Sequence, residues 1–154
     1  MAQTIVEGVE GVQGLVGQQL GHSDWVEITQ EMVDTFADAT GDHQWIHVDP
    51  ERAKAESPFG GPIGHGYLTL SLLIPMWSQV LTVSDATMGV NYGLNKVRFP
   101  APVPVGSKVR ARVTLQDVEE VAGGLQNTFA VTIEREGGDK PVCIAEPVYR
   151  FYGG

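Results

Sequence analysis

Cysteine is all but missing from this chain of 154 residues: Cys143 is the one thiol, so no internal disulfide and no Cys-based zinc site can form. A reducing compartment suits such a chain. Basic residues are also scarce, with 10 Lys and Arg against 19 Asp and Glu and a net charge of −9. Nucleic acid and anionic membrane surfaces would repel this balance at long range, which leaves neither as an expected partner. No Lys or Arg precedes Arg52, so the positive region of a secretory or mitochondrial signal is lacking and the expected location is cytoplasmic. Long hydrophobic runs are absent too. The most apolar stretch, Tyr67 to Leu81, is interrupted by Thr69, Ser71, Pro75, Ser78 and Gln79 and is too short to cross a bilayer. Repeats, low-complexity tracts and Pro/Ser-rich linkers do not divide the sequence.

What remains is an ordinary globular composition, 42% hydrophobic and 19% charged, at a length suited to one domain. A chain of this size should bury roughly 70% of the surface it exposes when unfolded, enough for a core without staples. Charge is unevenly placed. Residues 1–51 hold ten acids and no Lys or Arg, whereas Ala86 to Gln116 has no acid and carries Lys96, Arg98, Lys108, Arg110 and Arg112. The last three alternate with Val109, Ala111 and Val113, as on the solvent face of a half-buried strand; the alternative is a surface that handles anions such as phosphate.

Residues 1–20 are Gly/Gln-rich and weakly patterned, which predicts a loosely packed arm, with residues 21–154 forming the domain. Ser23 to Ile28 reads as a short strand. Thr29 can cap a helix with an apolar stripe of Met32, Val33, Phe36 and Ala37 that ends before Gly41. Asp49-Pro50 is a cap followed by a first-turn proline and opens another short helix. The run Ser57 to Pro62 is an irregular loop. From His65-Gly66 to about Val80, apolar side chains fall on nearly every side of a helix, so other structure should enclose it, with a kink or an early end at Pro75. Four strands follow: Gly89 to Phe99, Ser107 to Glu119, Gln126 to Glu136 and Val142 to Tyr152, punctuated by Pro100 to Gly106 and Gly137-Gly138. The predicted class is α+β, an antiparallel sheet wrapped around a long central apolar helix.

Three of the four histidines, His43, His47 and His65, lie close together in sequence with Asp42 and the Gly/Pro-rich loop. Asp42 and His47 are five apart, about 140° around a helix and on opposite faces of a strand, so only an irregular turn can bring them to one point. A carboxylate and an imidazole converging on one water would make a hydration or dehydration pair. Equally, an Asp after Gly is a common turn-former, and a His among apolar residues is commonly structural. Metal binding through His43 and His47 with Asp42 or His65 is disfavoured. Gln44 replaces the general-base Glu of the helical zinc motif, and Gly41 weakens a helix there. Asp49 reads as a cap. His65-Gly66-Tyr67 opens the apolar helix, where free backbone N–H groups can hold a carbonyl oxygen as it gains charge; alternatively Gly66 only permits tight packing.

The run Phe36-Ala37-Asp38-Ala39-Thr40-Gly41-Asp42-His43-Gln44-Trp45-Ile46-His47, followed by Gly61-Pro62-Ile63-Gly64-His65-Gly66, resembles the MaoC-like hydratases, the (R)-specific enoyl-CoA hydratases of the hot-dog fold. Resemblance extends from about Gly21 to the C-terminus. Gly41, Asp42, Ile46 and His47 match the family signature; Gln44 and Trp45 stand where it has Asn and Pro. Asn91 to Pro100 resembles the branch that holds nodulation-protein-N-like and mycobacterial hydratases. The resemblance implies one hot-dog domain with five or six strands, a homodimer, and an active site at or near the subunit interface. It also implies that Asp42 and His47 hold a water for syn addition to a trans-2-enoyl thioester, with the Gly66 N–H on the thioester carbonyl. Gln44, His65 and Tyr67 would contact substrate, and Lys96 and Arg98 would meet the coenzyme A phosphates. A narrow tunnel lined from the central helix and the Pro58 to Gly61 loop would take the acyl chain. Neither a metal nor a redox cofactor is implied, coenzyme A being part of the substrate. Rival readings are an acyl-carrier-protein dehydratase, a thioesterase and a non-catalytic acyl-thioester binder.

Overall fold

Alternation of β-branched and charged residues builds the sheet strand by strand. In the computed structural model, which describes residues 3–153, β6 (Lys108–Val121), β7 (Gly124–Arg135) and β8 (Cys143–Tyr152) alternate buried and part-exposed side chains along most of their length. They form the middle of a six-stranded sheet in the order β2-β6-β7-β8-β5, with β2 spanning Gln19–His22 and β5 spanning Met88–Arg98. A two-residue strand, β3 (Val26–Glu27), also pairs with β6. All of these pairings are antiparallel. Ser23 to Ile28 is thus strand only at its centre.

Arg110 lies opposite Glu134 in the β6–β7 register, and Arg110 and Arg112 reach its two carboxylate oxygens at 2.6 and 3.1 Å. Arg110 also covers the Trp25 ring at 4.3 Å. These two arginines therefore belong to the outer face of the sheet. Burial alone would raise the Glu134 carboxyl, but the hydrogen bonds from Arg110 and Arg112 outweigh it and hold it below its ordinary range.

The apolar helix lies across the inner face of the sheet in two pieces, α5 (Gly66–Ser71) and α6 (Leu73–Ser78). The interruption falls at Leu72, earlier than the expected kink at Pro75. Pro75 has no N–H for the Ser71 carbonyl and its ring crowds that carbonyl, so the effect of the proline appears one turn toward the N-terminus. Leu68, Leu73, Met76 and Trp77 point into the core. Trp77 meets Phe129, Tyr149 and Phe151 at ring-centroid distances of 5.3, 5.1 and 5.5 Å. The opposite face is not enclosed by the chain's own structure, contrary to expectation: Tyr67 is 71% and Ile74 41% exposed. Beside it, β5 exposes Met88, Val90, Tyr92 and Leu94, so this edge strand lacks the one-sided burial of the others.

The segment read as a loosely packed arm holds β1 (Thr4–Val6), which pairs in parallel with β4 (Leu81–Val83), and α1 (Gly8–Gln13), whose Val12 is fully buried in the core. Among the described residues, no helix is long and apolar enough to cross a membrane. The aromatic cluster under α6 joins helix to sheet, and Phe129→Ala should cost about 3–5 kcal/mol of unfolding free energy. Urea titration measures this, and a loss below about 1 kcal/mol would show that the cluster does not carry the packing.

Candidate active site

Thr29 caps α2 (Gln30–Thr40) by accepting from the Met32 N–H at 3.1 Å, and Gly41 ends it. At Gly41 φ is 85°, a conformation that a side chain would strain, and its N–H returns to the Ala37 carbonyl at 2.8 Å. The chain leaves this cap in an irregular turn and re-enters helix for a single turn, α3 (Trp45–Val48). Asp49 stops that turn and caps α4 (Pro50–Glu56), accepting from the Arg52 N–H at 3.1 Å. Trp45 is covered by the Arg52 guanidinium at 4.3 Å. One side of α3 is fastened to α2, because the Gln30 amide donates to the His47 carbonyl at 2.8 Å. The other is fastened to the Gly/Pro loop, because the Ile63 N–H donates to the Ile46 carbonyl at 3.0 Å.

That loop is itself held by the proline-rich segment after β5. The Gly64 N–H donates to the Val103 carbonyl at 2.8 Å and the Val105 N–H to the Pro62 carbonyl at 3.0 Å. With prolines at 100, 102 and 104, the segment lacks alternate N–H groups and cannot join a central strand, yet its carbonyls remain free to accept.

These constraints bring Asp42, His47 and His65 together, with one oxygen or nitrogen of each lying within 4.8 Å of the others. His47 is buried, and its Nδ1 donates to the Ile63 carbonyl at 2.6 Å, so Nε2 keeps the free lone pair. The Asp42 carboxylate is 54% exposed and lies 4.0 Å from His65 Nε2. His65 Nε2 donates to the Asp42 backbone carbonyl at 3.0 Å, and its ring stacks on His47 at 3.9 Å between centroids. Burial pushes the His47 imidazole below its ordinary 6.5; the bond to the Ile63 carbonyl opposes this, and the neighbouring His65 adds to it.

A cavity of about 400 Å³ opens beside this group, lined by His47, Gly66, Thr69 and Val142 among others, with Phe59 and Phe99 on its walls. Gly66 is the first residue of α5, so its N–H has no acceptor within the helix. It also permits a close approach: a Cβ there would lie 3.1 Å from the Phe99 ring. The helix and the Phe59 loop were legible as lining. Phe99 to Val103 and Val142 were not, because the proline-rich segment reads as punctuation and Val142 as the start of a strand.

Several expected site residues stand apart from this group. Gln44 is exposed at the cap of α3, where its backbone N–H approaches Asp42 Oδ1 at 3.4 Å. Tyr67 is exposed and meets Phe99 edge to face at 6.2 Å. Lys96 and Arg98 are exposed on β5 and do not line the cavity. His65, by contrast, belongs to the group, but it is 2% exposed and does not line the cavity. His43 points away toward Asp38 at 3.9 Å, so the compact three-residue group uses His65 and not His43.

An antiparallel sheet curled on a helix is the hot-dog class, and here a buried His lines a cavity at the helix start. Residues 12–136 match the family model of the MaoC like domain, and the chain belongs to that family of hydratases and dehydratases, which makes it a hydro-lyase. It is 56% identical over 146 residues to 3-hydroxyacyl-thioester dehydratase Z of Mycobacterium tuberculosis, covering 94% of this chain and 96% of that one. To nodulation protein N of Rhizobium meliloti it is 52% identical over 136 residues, covering 87% and 84%. Among solved structures, the (R)-hydratase from A. caviae superposes with a TM-score of 0.70 at 26% identity, covering 86% of this chain and 96% of that one.

Lowering the His47 value in the folded chain means that the folded state resists protonation more than the unfolded one. Its contribution to stability is therefore complete above pH 6.5 and is lost as pH falls through the lowered value. Melting temperature should accordingly drop between pH 7.5 and 5.5, and drop less in His47→Gln. Equal drops in the two proteins would remove His47 as the cause.

Proposed function

We propose that this protein is an (R)-specific enoyl-CoA hydratase, adding water reversibly and syn across a trans-2-enoyl-CoA to give the (R)-3-hydroxyacyl-CoA. One observation carries the reading: Asp42, His47 and His65 each bring a polar atom to within 4.8 Å of the others, and His47, with Nε2 unbonded, lines a cavity together with Gly66. The water oxygen bonds to C3 while Asp42 and His47 between them accept its proton and return one to Cα. Both groups lie on one side of the bound double bond, so hydroxyl and hydrogen arrive on the same face. The electron pair displaced from the double bond moves toward the thioester oxygen, where the Gly66 N–H receives it; a donor in that role is typically worth about 3 kcal/mol. Since the thioester acidifies Cα, positioning and charge stabilisation suffice, and the proposed reaction uses no metal or redox cofactor.

Support comes from the family, from the relative named a 3-hydroxyacyl-thioester dehydratase, and from the likeness to an (R)-hydratase. In this reading the acyl chain occupies the cavity between Phe59, Thr69, Phe99 and Val142. Lys96 and Arg98, exposed on β5 ahead of the cavity-lining Phe99, are the proposed contacts for the phosphates of coenzyme A. The proposed location is the cytoplasm. A second copy of the chain is the proposed cover for Tyr67, Ile74, Val90, Tyr92 and Leu94, since a helix face and an edge strand this apolar are costly to leave in water.

Hydration of crotonyl-CoA removes the conjugated-enoyl absorbance, whereas hydrolysis of the thioester releases free CoA and a binding protein does neither. The expected result is loss of absorbance without free CoA, at a rate that EDTA leaves unchanged. Asp42→Asn and His47→Gln should each lower kcat by about 10²–10⁴-fold while the fold is kept; near-full activity in either variant would remove that residue from the chemistry. Rates with the matching enoyl acyl-carrier-protein separate the two carriers. Leu94→Glu should convert a dimer to a monomer in light scattering after gel filtration, and an unchanged mass would place the second copy elsewhere.

A further inference from the structure

His65 is a buried imidazole with a hydrogen-bond partner, among the described residues, for only one of its two nitrogens. Its Nε2 lies 3.0 Å from the Asp42 backbone carbonyl, a group that can only accept, so Nε2 carries a hydrogen. Nδ1 is buried with no hydrogen-bond partner among the described residues. The ring stacks on His47 at 3.9 Å with 24° between planes and meets Phe36 of α2, tilted by 53°, at 4.8 Å. Its own carbonyl accepts from the Leu68 and Thr69 N–H groups, so the residue is also the cap from which α5 starts.

The value of this placement shows in what else holds Asp42. Within its own turn the Asp42 N–H reaches Thr40 Oγ1 at 3.3 Å and its carboxylate meets the Gln44 N–H at 3.4 Å, both long and both exposed. The bond from His65 is shorter, comes from a buried side chain, and spans 23 positions of the chain. His47 is held at one atom by the Ile63 carbonyl, which leaves rotation about that contact to be limited by the ring lying against its face. One side chain thus ties the carboxylate loop, the plane of the imidazole and the first N–H of α5 to a common reference.

We propose that His65 is a positioning residue for the hydration reaction: by donating from Nε2 to the Asp42 carbonyl and stacking on His47, it sets the separation of the two groups across the water without itself exchanging a proton or touching substrate. This rests on the reading of Asp42 and His47 given above. The titratable groups that face it are the Asp42 carboxylate, at 4.0 Å, and His47; α2 presents Phe36.

Two variants separate the donor from the face. His65→Phe keeps a ring against His47 and loses the donor, whereas His65→Gln places an amide N–H near the position of Nε2. His65→Phe should lower kcat for crotonyl-CoA hydration by about 10–100-fold, the loss that a displacement near 1 Å produces, with KM changed less than about threefold. His65→Gln should recover most of that kcat. In both, the acid limb of the kcat profile should keep its single inflection and move to higher pH, because the imidazole that disfavours the charged form of His47 is gone.

A full-rate His65→Phe would overturn the proposal. So would a KM effect without a kcat effect, which would make His65 a substrate contact, or the disappearance of the inflection in both variants, which would make it the titrating group. Should His65→Phe fail to fold, judged by its melt, the comparison of His65→Gln with His65→Asn decides. The shorter amide cannot reach the carbonyl and should lose the rate that His65→Gln keeps; equal rates would refute the donor. Failure of the underlying reading looks different, since Asp42→Asn would then retain activity whatever stands at residue 65. In the Asp42→Asn background, His65→Phe should cost less than about threefold further, as expected of residues acting as one unit.

Discussion

The 2.6 Å bond from His47 Nδ1 to the Ile63 carbonyl is the contact on which the site depends, and several longer-range features exist to make it available. The Ile63 carbonyl points at the imidazole because the residues on either side of it are paired with the segment around Val103 to Val105. The Ile63 N–H, in turn, is spent on α3. An otherwise irregular loop thereby acquires the rigidity of a sheet edge, and it imposes one tautomer on a buried histidine. The imidazole so held keeps its Nε2 lone pair free and has a lowered tendency to charge.

The division of labour between frame and site follows from this. The frame is the alternating strands β6, β7 and β8 with the Trp77 cluster pressed on them, and it places the start of α5 at a set height over the sheet. The site is made of turns and helix ends that the frame holds apart: the left-handed cap at Gly41, the single turn of α3, the cap at His65. Each of these elements is too short to be stable alone. They persist because Gln30, Ile63 and His65 tie them to one another and to the body of the domain.

The open face tells a related story. The apolar pattern between Tyr67 and Leu81 predicts burial on nearly every side, yet the chain's own sheet covers only the side of Leu68, Leu73, Met76 and Trp77. Tyr67 and Ile74 on the helix, and Val90, Tyr92 and Leu94 on the edge strand β5, are left exposed. Periodicity reports how many sides of a helix are apolar, and it does not report which of them the sheet reaches.

Much of the domain is set by residues near one another in the chain. Alternation marks the four long strands, Thr29 and Asp49-Pro50 mark two helix starts, and Gly41 marks a helix stop, because each is a contest between local backbone energies that a few side chains decide. The five-residue spacing of Asp42 and His47 likewise requires an irregular turn wherever the two converge. Other features are out of reach of such reasoning: the proline-rich segment as a wall of the cavity, Val12 in the core, the two-piece helix, and His65 clasping the Asp42 carbonyl from 23 residues away. These arise where segments distant in sequence exchange hydrogen bonds and exclude water together, and a contact of that kind has an energy only once the whole chain has folded around it.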